Sequence, residues 1–194
     1  DAYADELIGL LDEMDLEDAV VVGLSMGGYV AFSFLRRARN RVRGLVFADT
    51  RAEADPPEGV AKRTGQQEQV EKEGTAGLIS ALPNALLGET TRERRPDVVE
   101  RARTLMDNPP AGFIGALEAM KKRVDSTNEL ASIDVPTLVI VGEEDAVTPP
   151  DASRKIHEHV GGSQLVVIPE AGHLSNLERP EAFNGALRDF LATF

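Results

Sequence analysis

The chain has 194 residues, with 33 acidic against 21 basic side chains and no cysteine. The length fits one domain with a small insertion, and a hydrophobic share of 42% is enough to form a core, which excludes wholesale disorder. Without cysteine there are no disulfides, no thiolate chemistry and no cysteine-bound metal, and a net charge of −12 argues against a nucleic-acid or anionic-membrane partner. No apolar run reaches the roughly 18–20 residues of a membrane span, and the acidic segment 1–15 is not a signal peptide. We therefore expect a soluble, cytoplasmic protein.

Helix and strand patterns alternate in the first 50 residues. Leucines at helical spacing predict an amphipathic helix over 4–14, and a β-branched run over 18–23, apolar on both faces, predicts a buried parallel strand. A helix over 26–38 and a second strand over 43–48 follow. This alternation is typical of an α/β fold with a parallel sheet.

The middle of the chain, 51–132, has no strand pattern and reads as a polar, helical insertion between two strands. The two alternatives are a disordered linker and a separate domain. The segment contains many apolar residues for a linker, and it is short for a domain with its own core. The predicted breaks between its helices fall at Pro56-Pro57, Gly74, Pro83, Gly88 and Pro109-Pro110.

The last part, 133–194, returns to the alternating pattern. It predicts strands over 136–141 and 164–168, and helices over 150–160 and 180–194. We therefore divide the chain into a first core part over 1–50, a helical cap over 51–132 and a second core part over 133–194.

A G-x-S-x-G motif, Gly23-Leu24-Ser25-Met26-Gly27, lies between the first predicted strand and the helix that follows it. A strand that turns sharply into a helix holds the central residue at positive φ, and the flanking glycines, Gly23 and Gly27, leave room for close packing. Ser25 would then project above the sheet as a nucleophile, and the Met26 N–H would be one oxyanion-hole donor. The alternative is a glycine-rich turn in which Ser25 only caps the helix.

A serine nucleophile needs a general base, and the chain has three histidines. His157 and His159 fall on different faces of a predicted polar helix, which indicates solvated surface residues. His173 follows the last predicted strand, at the end where parallel α/β sheets place their sites. Alone it would read as a surface loop residue, but together with the Ser25 turn it is the candidate base.

The imidazole in turn needs a carboxylate that orients it. Glu143, Glu144 and Asp145 follow the third predicted strand, and we favour Asp145 because it is furthest from the strand end and has a short side chain. The alternative for Asp145 is a turn cap, and Asp49, after the second strand, is a possible substitute for it as the orienting acid.

Three segments together resemble the catalytic segments of α/β-hydrolases, in the subgroup of carboxylesterases, enol-lactonases and cofactor-free haloperoxidases. They begin at Gly23, at Gly142 and at Ala171, and they run in the order nucleophile, acid, base that this fold uses. The resemblance implies that Ser25 is the nucleophile, Asp145 the acid and His173 the base, with no cofactor and no metal. It also implies a helical cap, which 51–132 resembles only in its pattern.

The chain departs from that family before the Ser25 turn. The family has further strands there, and a loop among them supplies the second oxyanion donor; four such strands with their connections amount to roughly 70 residues. In this chain the strand over Val20–Val22 would be an exposed apolar sheet edge, which is an aggregation hazard. We expect either that the sequence is the carboxy-terminal part of a longer protein, or that another copy covers this edge.

The resulting hypothesis is a serine hydrolase of small carboxylic esters or lactones that acts through an acyl-enzyme. One alternative is perhydrolase or haloperoxidase activity, or C–C bond hydrolysis, on the same three residues. The other is an incomplete hydrolase fold that acts as a non-catalytic binding module. The expected partner is a small ester-like molecule, with no nucleic acid and no membrane.

Overall fold

Four parallel strands form a single sheet in chain order, in a computed structural model that describes residues 1–194. The strands are β1 (Ala19–Leu24), β2 (Val42–Ala48), β3 (Thr137–Gly142) and β4 (Gln164–Ile168). The helices are α1 (Ala2–Glu13), α2 (Met26–Arg37), α3 (Pro57–Glu73), α4 (Ala76–Leu86), α5 (Glu89–Arg94), α6 (Pro96–Leu105), α7 (Pro110–Lys121), α8 (Pro150–His159), α9 (Ser175–Glu178) and α10 (Pro180–Leu191), with 3₁₀ turns at Arg39–Arg41 and Thr127–Ser132. The predicted α/β class with a parallel sheet is confirmed.

Helices cover both faces of the sheet because its strands are apolar on both sides. In β2, Leu45 and Phe47 pack with residues of α1, α2 and α8, while Val46 and Ala48 pack with residues of α10 on the other face. Successive strand residues point to opposite faces, so a single strand contributes to both layers of the core.

The first strand is the edge of the sheet, as the sequence predicts, since β1 pairs only with β2. Four of its six residues are half-buried, Gly23 is buried and Val22 is 46% exposed, so the strand is less buried than the sequence predicts. A strand with one neighbour leaves a row of unpaired backbone groups on its open side. What covers this edge stays a prediction.

Five helices, α3 to α7, occupy the segment between β2 and β3, where the sequence predicts a cap; its division at 51 and 132 stays a prediction. Two expected details differ. Pro83 lies inside α4 instead of ending it, because proline lacks only its own N–H and its carbonyl still accepts from the Leu87 N–H at 3.0 Å. Pro96 begins α6, and this break between two helices is absent from those predicted from the sequence.

Arg123 holds the two ends of this segment against the core. Its guanidinium donates to the Glu53 carbonyl, pairs with Asp55 at 2.8 Å and lies 4.3 Å from the ring centroid of Tyr29 on α2. Burial opposes the charged form of Asp55, but hydrogen bonds from Arg123 and Arg63 outweigh it and lower the pKa of this carboxyl to about 2. The cap is therefore tied to the helix that follows Ser25.

No helix in the structure combines the length and the apolar character that crossing a membrane requires.

Of the three glycines at the turn from β1 into α2, Gly23 and Gly28 are closely packed and Gly27 is not. A Cβ added at Gly23 would lie 2.4 Å from the Gly27 carbonyl oxygen, and one added at Gly28 would lie 2.4 Å from Thr50 Oγ1. A Cβ added at Gly27 would meet no heavy atom within 4 Å. The packing reason that the sequence offered for Gly27 is therefore wrong, and Gly28 is the second close contact.

We predict that Gly23→Ala lowers the free energy of unfolding by about 1–3 kcal/mol, because the new methyl group meets backbone atoms that have little room to move. Gly27→Ala is the matched control and should be neutral or stabilising, since its site is open and alanine favours the helix. Denaturant titration of the two variants measures the difference. Equal losses in both variants would contradict this account of the turn.

Candidate active site

The three loops that carry the predicted residues meet at the carboxyl ends of the strands. Ser25 follows β1, Asp145 follows β3 and His173 follows β4. All four strands are parallel, so the loops that leave their carboxyl ends lie at one edge of the sheet.

Ser25 is the single residue between β1 and α2, and its backbone has φ 52° and ψ −113°. This positive φ is a strained conformation for a residue with a side chain, and it is kept only where surrounding contacts hold it. Here its N–H donates to the Ala48 carbonyl at 2.9 Å, and its own carbonyl accepts from the Thr50 hydroxyl at 2.8 Å. The positive φ expected at Ser25 is confirmed, and the last residue of β2 and the segment just after it supply the two bonds that hold it.

His173 joins the serine to the carboxylate. Its Nε2 lies 2.7 Å from Ser25 Oγ, and its Nδ1 lies 2.9 Å from Asp145 Oδ2. The His173 side chain is 3% exposed and the Asp145 side chain is fully buried, so both contacts are shielded from water. The three residues that the sequence predicts to lie together are joined by hydrogen bonds in the structure.

Asp145 is held as an acceptor by its own loop. Its Oδ1 accepts from the backbone N–H of Val147 at 2.8 Å and of Thr148 at 2.9 Å, and its Oδ2 accepts from the Thr148 hydroxyl at 2.7 Å. Burial works to raise the pKa of Asp145, but the hydrogen bonds and the charge of His173, with the bonds from Thr148, hold it below the ordinary 3.8. Asp145 is therefore a carboxylate at neutral pH.

Thr148 has a place in the site that the sequence pattern does not predict. Its hydroxyl also lies 3.1 Å from His173 Nδ1, so it contacts both partners of the central hydrogen bond. Aspartate is the residue type that signals a local side-chain to backbone turn, which Asp145 forms with the Val147 N–H two residues later; Thr148 is the next residue in that turn.

The loop around His173 is attached to the cap. The His173 backbone N–H donates to the Leu86 carbonyl at 2.8 Å. The buried Glu178 carboxyl accepts from the N–H groups of Gly172 and Gly88, both at 2.9 Å, and from that of Leu174 at 3.2 Å. Nothing in the sequence pattern distinguished Glu178 from a surface acid, so this contact was missed.

The competing acids have other partners. Glu144 accepts from the Thr90 N–H at 2.9 Å, and Glu143 is exposed. Asp49, the proposed substitute, accepts from Gly142 and Ser175 and is not bonded to the His173 ring.

The two remaining histidines were expected to be solvated surface residues, and this holds for His159, which is exposed, while His157 is half-buried. His157 Nδ1 contacts the Ser163 hydroxyl at 2.9 Å, and the exposed His159 contacts the Lys155 carbonyl at 2.8 Å.

Met26 is the first residue of α2, so its N–H has no partner within the helix and lies at the positive end of the helix dipole.

A cavity of about 310 Å³ is lined by Met26 and Tyr29 of α2 and reaches Ala119 and Met120 of the cap region. The structure contains no group of three His, Asp or Glu side chains arranged to hold a metal ion.

Known proteins share both the sequence and the geometry. The chain is 30% identical over 180 residues to a 3-oxoadipate enol-lactonase of Acinetobacter baylyi, an alignment that covers 92% of this chain and 66% of the lactonase. It is 33% identical over 201 residues to a pimeloyl-acyl-carrier-protein methyl ester esterase of Neisseria meningitidis, covering 98% and 75% of the two chains. The chain thus spans two thirds to three quarters of the length of these relatives.

A solved structure agrees with the relatives. A thermophilic esterase from Thermogutta terrifontis superimposes with a TM-score of 0.94 at 40% identity, over 98% of this chain and 71% of that one. Residues 1–180 match the family described as the alpha/beta hydrolase fold. The chain therefore belongs to the α/β hydrolase fold family.

Proposed function

We propose that Ser25, His173 and Asp145 form a catalytic triad that hydrolyses a small carboxylic ester or lactone. The observation that carries the proposal is the unbroken hydrogen-bond series from Ser25 Oγ through both ring nitrogens of His173 to Asp145 Oδ2. Nucleophile, base and orienting acid are each within hydrogen-bond reach of the next, as acyl transfer by a serine requires.

In the first step, Ser25 Oγ attacks the carbonyl carbon while His173 Nε2 takes its proton. Asp145 accepts the Nδ1–H, which fixes the tautomer that leaves Nε2 free and stabilises the imidazolium that forms. The tetrahedral intermediate then expels the alcohol, which receives the proton from His173, and an acyl-serine remains.

Deacylation repeats these roles with water. His173 takes a proton from the attacking water, the second tetrahedral intermediate collapses, and the proton returns to Ser25 as the acid leaves. In both steps the oxyanion develops next to the start of α2, where the Met26 N–H supplies one donor and the helix dipole favours negative charge.

The relatives support the choice of substrate class. Two of them, an enol-lactonase and a methyl ester esterase, act on an acyl–oxygen bond, as their names state. The cavity of about 310 Å³ beside Met26 is lined by none of the three proposed triad residues, so the relatives, and not that cavity, support this substrate class.

We predict that a fluorophosphonate probe labels the folded protein at Ser25 and that p-nitrophenyl acetate is hydrolysed. Ser25→Ala should abolish labelling and lower kcat at least about 10⁴-fold, because no other group replaces the nucleophile. Ser80→Ala, an exposed serine of the cap, is the control and should behave as the wild type. Intact mass of the labelled protein and peptide mapping locate the adduct.

Failure of the probe to label Ser25 in a folded protein would contradict the hydrolase proposal and favour a binding module. Labelling elsewhere, with esterase activity retained in Ser25→Ala, would contradict the assignment of the nucleophile.

We predict that Asp145→Asn lowers kcat by about 10⁴-fold with a small change in KM, since the amide no longer selects the productive His173 tautomer. Glu143→Gln neutralises an exposed acid of the same loop and should leave kcat unchanged. Steady-state kinetics of both variants on the same ester measure the difference in kcat. A wild-type rate in Asp145→Asn would exclude Asp145 as the triad acid.

A further inference from the structure

Two consecutive residues that directly follow β2, Asp49 and Thr50, contact the loops of all three proposed triad residues. The Thr50 hydroxyl donates to the Ser25 carbonyl at 2.8 Å, which fixes the serine turn. The Asp49 carboxyl bonds to the loops that carry Asp145 and His173. The triad mechanism uses neither residue.

The Asp49 carboxyl has one oxygen on each loop. Its Oδ1 accepts from the Gly142 N–H at 2.8 Å, three residues before Asp145. Its Oδ2 accepts from the hydroxyl of Ser175, two residues after His173. Asp49 and Ser175 are both fully buried, so water does not compete for these bonds.

We infer that Asp49 is a positioning residue whose carboxyl holds the Asp145 loop and the His173 loop at a fixed separation. The inference rests on the proposed function, because it gives Asp49 a part in the same hydrolysis. Asp49 does not replace Asp145, whose Oδ2 receives the His173 Nδ1 contact at 2.9 Å. It acts through Gly142 and Ser175 and touches none of the reacting atoms.

The backbone of Asp49 supports this role. Its φ is 46°, in the left-handed region that a residue with a side chain adopts at a cost in free energy. The Asp49 N–H donates to the Ile140 carbonyl of β3 at 2.9 Å, which holds the residue in that conformation. The strained backbone directs the carboxyl across the ends of β3 and β4 instead of along its own strand.

The protonation of Asp49 indicates which substitution preserves its contacts. The pKa of Asp49 is raised to about 7. Burial is the main cause and the nearby charge of Asp145 adds to it, while the hydrogen bonds from Ser175 and Gly142 and the charge of His173 oppose the rise. A neutral carboxyl keeps both bonds, since one oxygen accepts from Gly142 and the hydroxyl pairs with Ser175. Asparagine has the same shape with one acceptor and one donor, so Asp49→Asn should retain them.

The test compares Asp49→Ala, Asp49→Asn and Ser175→Ala with Ser153→Ala. Ser153 is a matched control because it is also fully buried, while its hydroxyl has no hydrogen-bond partner. For each variant, kcat and KM are measured with p-nitrophenyl acetate, and folding is checked by circular dichroism and thermal unfolding.

We expect Asp49→Ala to lower kcat roughly 10- to 100-fold with KM nearly unchanged, because small misplacements of catalytic groups slow chemistry without weakening binding. Asp49→Asn should restore most of that rate. Ser175→Ala should lower kcat about 5-fold, the effect of one lost hydrogen bond, and Ser153→Ala should leave it unchanged.

Three results would overturn the inference: a wild-type kcat in folded Asp49→Ala, an Asp49→Asn variant as slow as Asp49→Ala, or equal rates in Ser175→Ala and Ser153→Ala. If Asp49→Ala does not fold, the two serine variants decide. Full activity of Ser25→Ala would overturn the proposed function instead. A wild-type rate for Asp49→Ala in an enzyme that needs Ser25 would overturn only the role of Asp49.

Discussion

The close approach of α2 to the end of β1 is the constraint on which the site depends. Because Gly23 has no side chain, the Gly27 carbonyl can lie where a Cβ would otherwise be, and the helix begins directly after the strand. Ser25 is the single residue left to make the turn, which places its backbone at positive φ and its hydroxyl within reach of His173. The same geometry leaves the first helical N–H groups facing the region of the serine hydroxyl.

Buried carboxyls organise the loops around this turn. Asp145 accepts from two backbone N–H groups of its own loop, and Glu178 accepts from three N–H groups of the His173 loop and the cap. Asp49 accepts from one backbone N–H and one serine hydroxyl on two different loops. A loop that leaves a strand has unpaired N–H groups, and a buried carboxylate satisfies two or three of them at once. Several of the acidic residues that give the chain its net negative charge are therefore buried and hold loops together.

Much of the core was predictable from the sequence, because parallel strands and amphipathic helices have distinct periodicities. Ser25, Asp145 and His173 were found from their spacing and from the strand ends that precede them. Glu178 and Thr148 were not, since their roles depend on contacts between segments that only the folded chain brings together. The error at Gly27 has the same origin: a motif states which residue is glycine, but the neighbours decide whether a side chain would fit.

The attachment of the His173 loop to the cap has a consequence for motion. The histidine's own N–H is bound to Leu86, and the carboxyl of Glu178 bridges Gly88 to the residues on either side of His173. A displacement of Leu86–Gly88 would therefore shift the His173 loop as well and alter the distance from His173 to Ser25. This end of the cap and the His173 loop are expected to move together, as one unit.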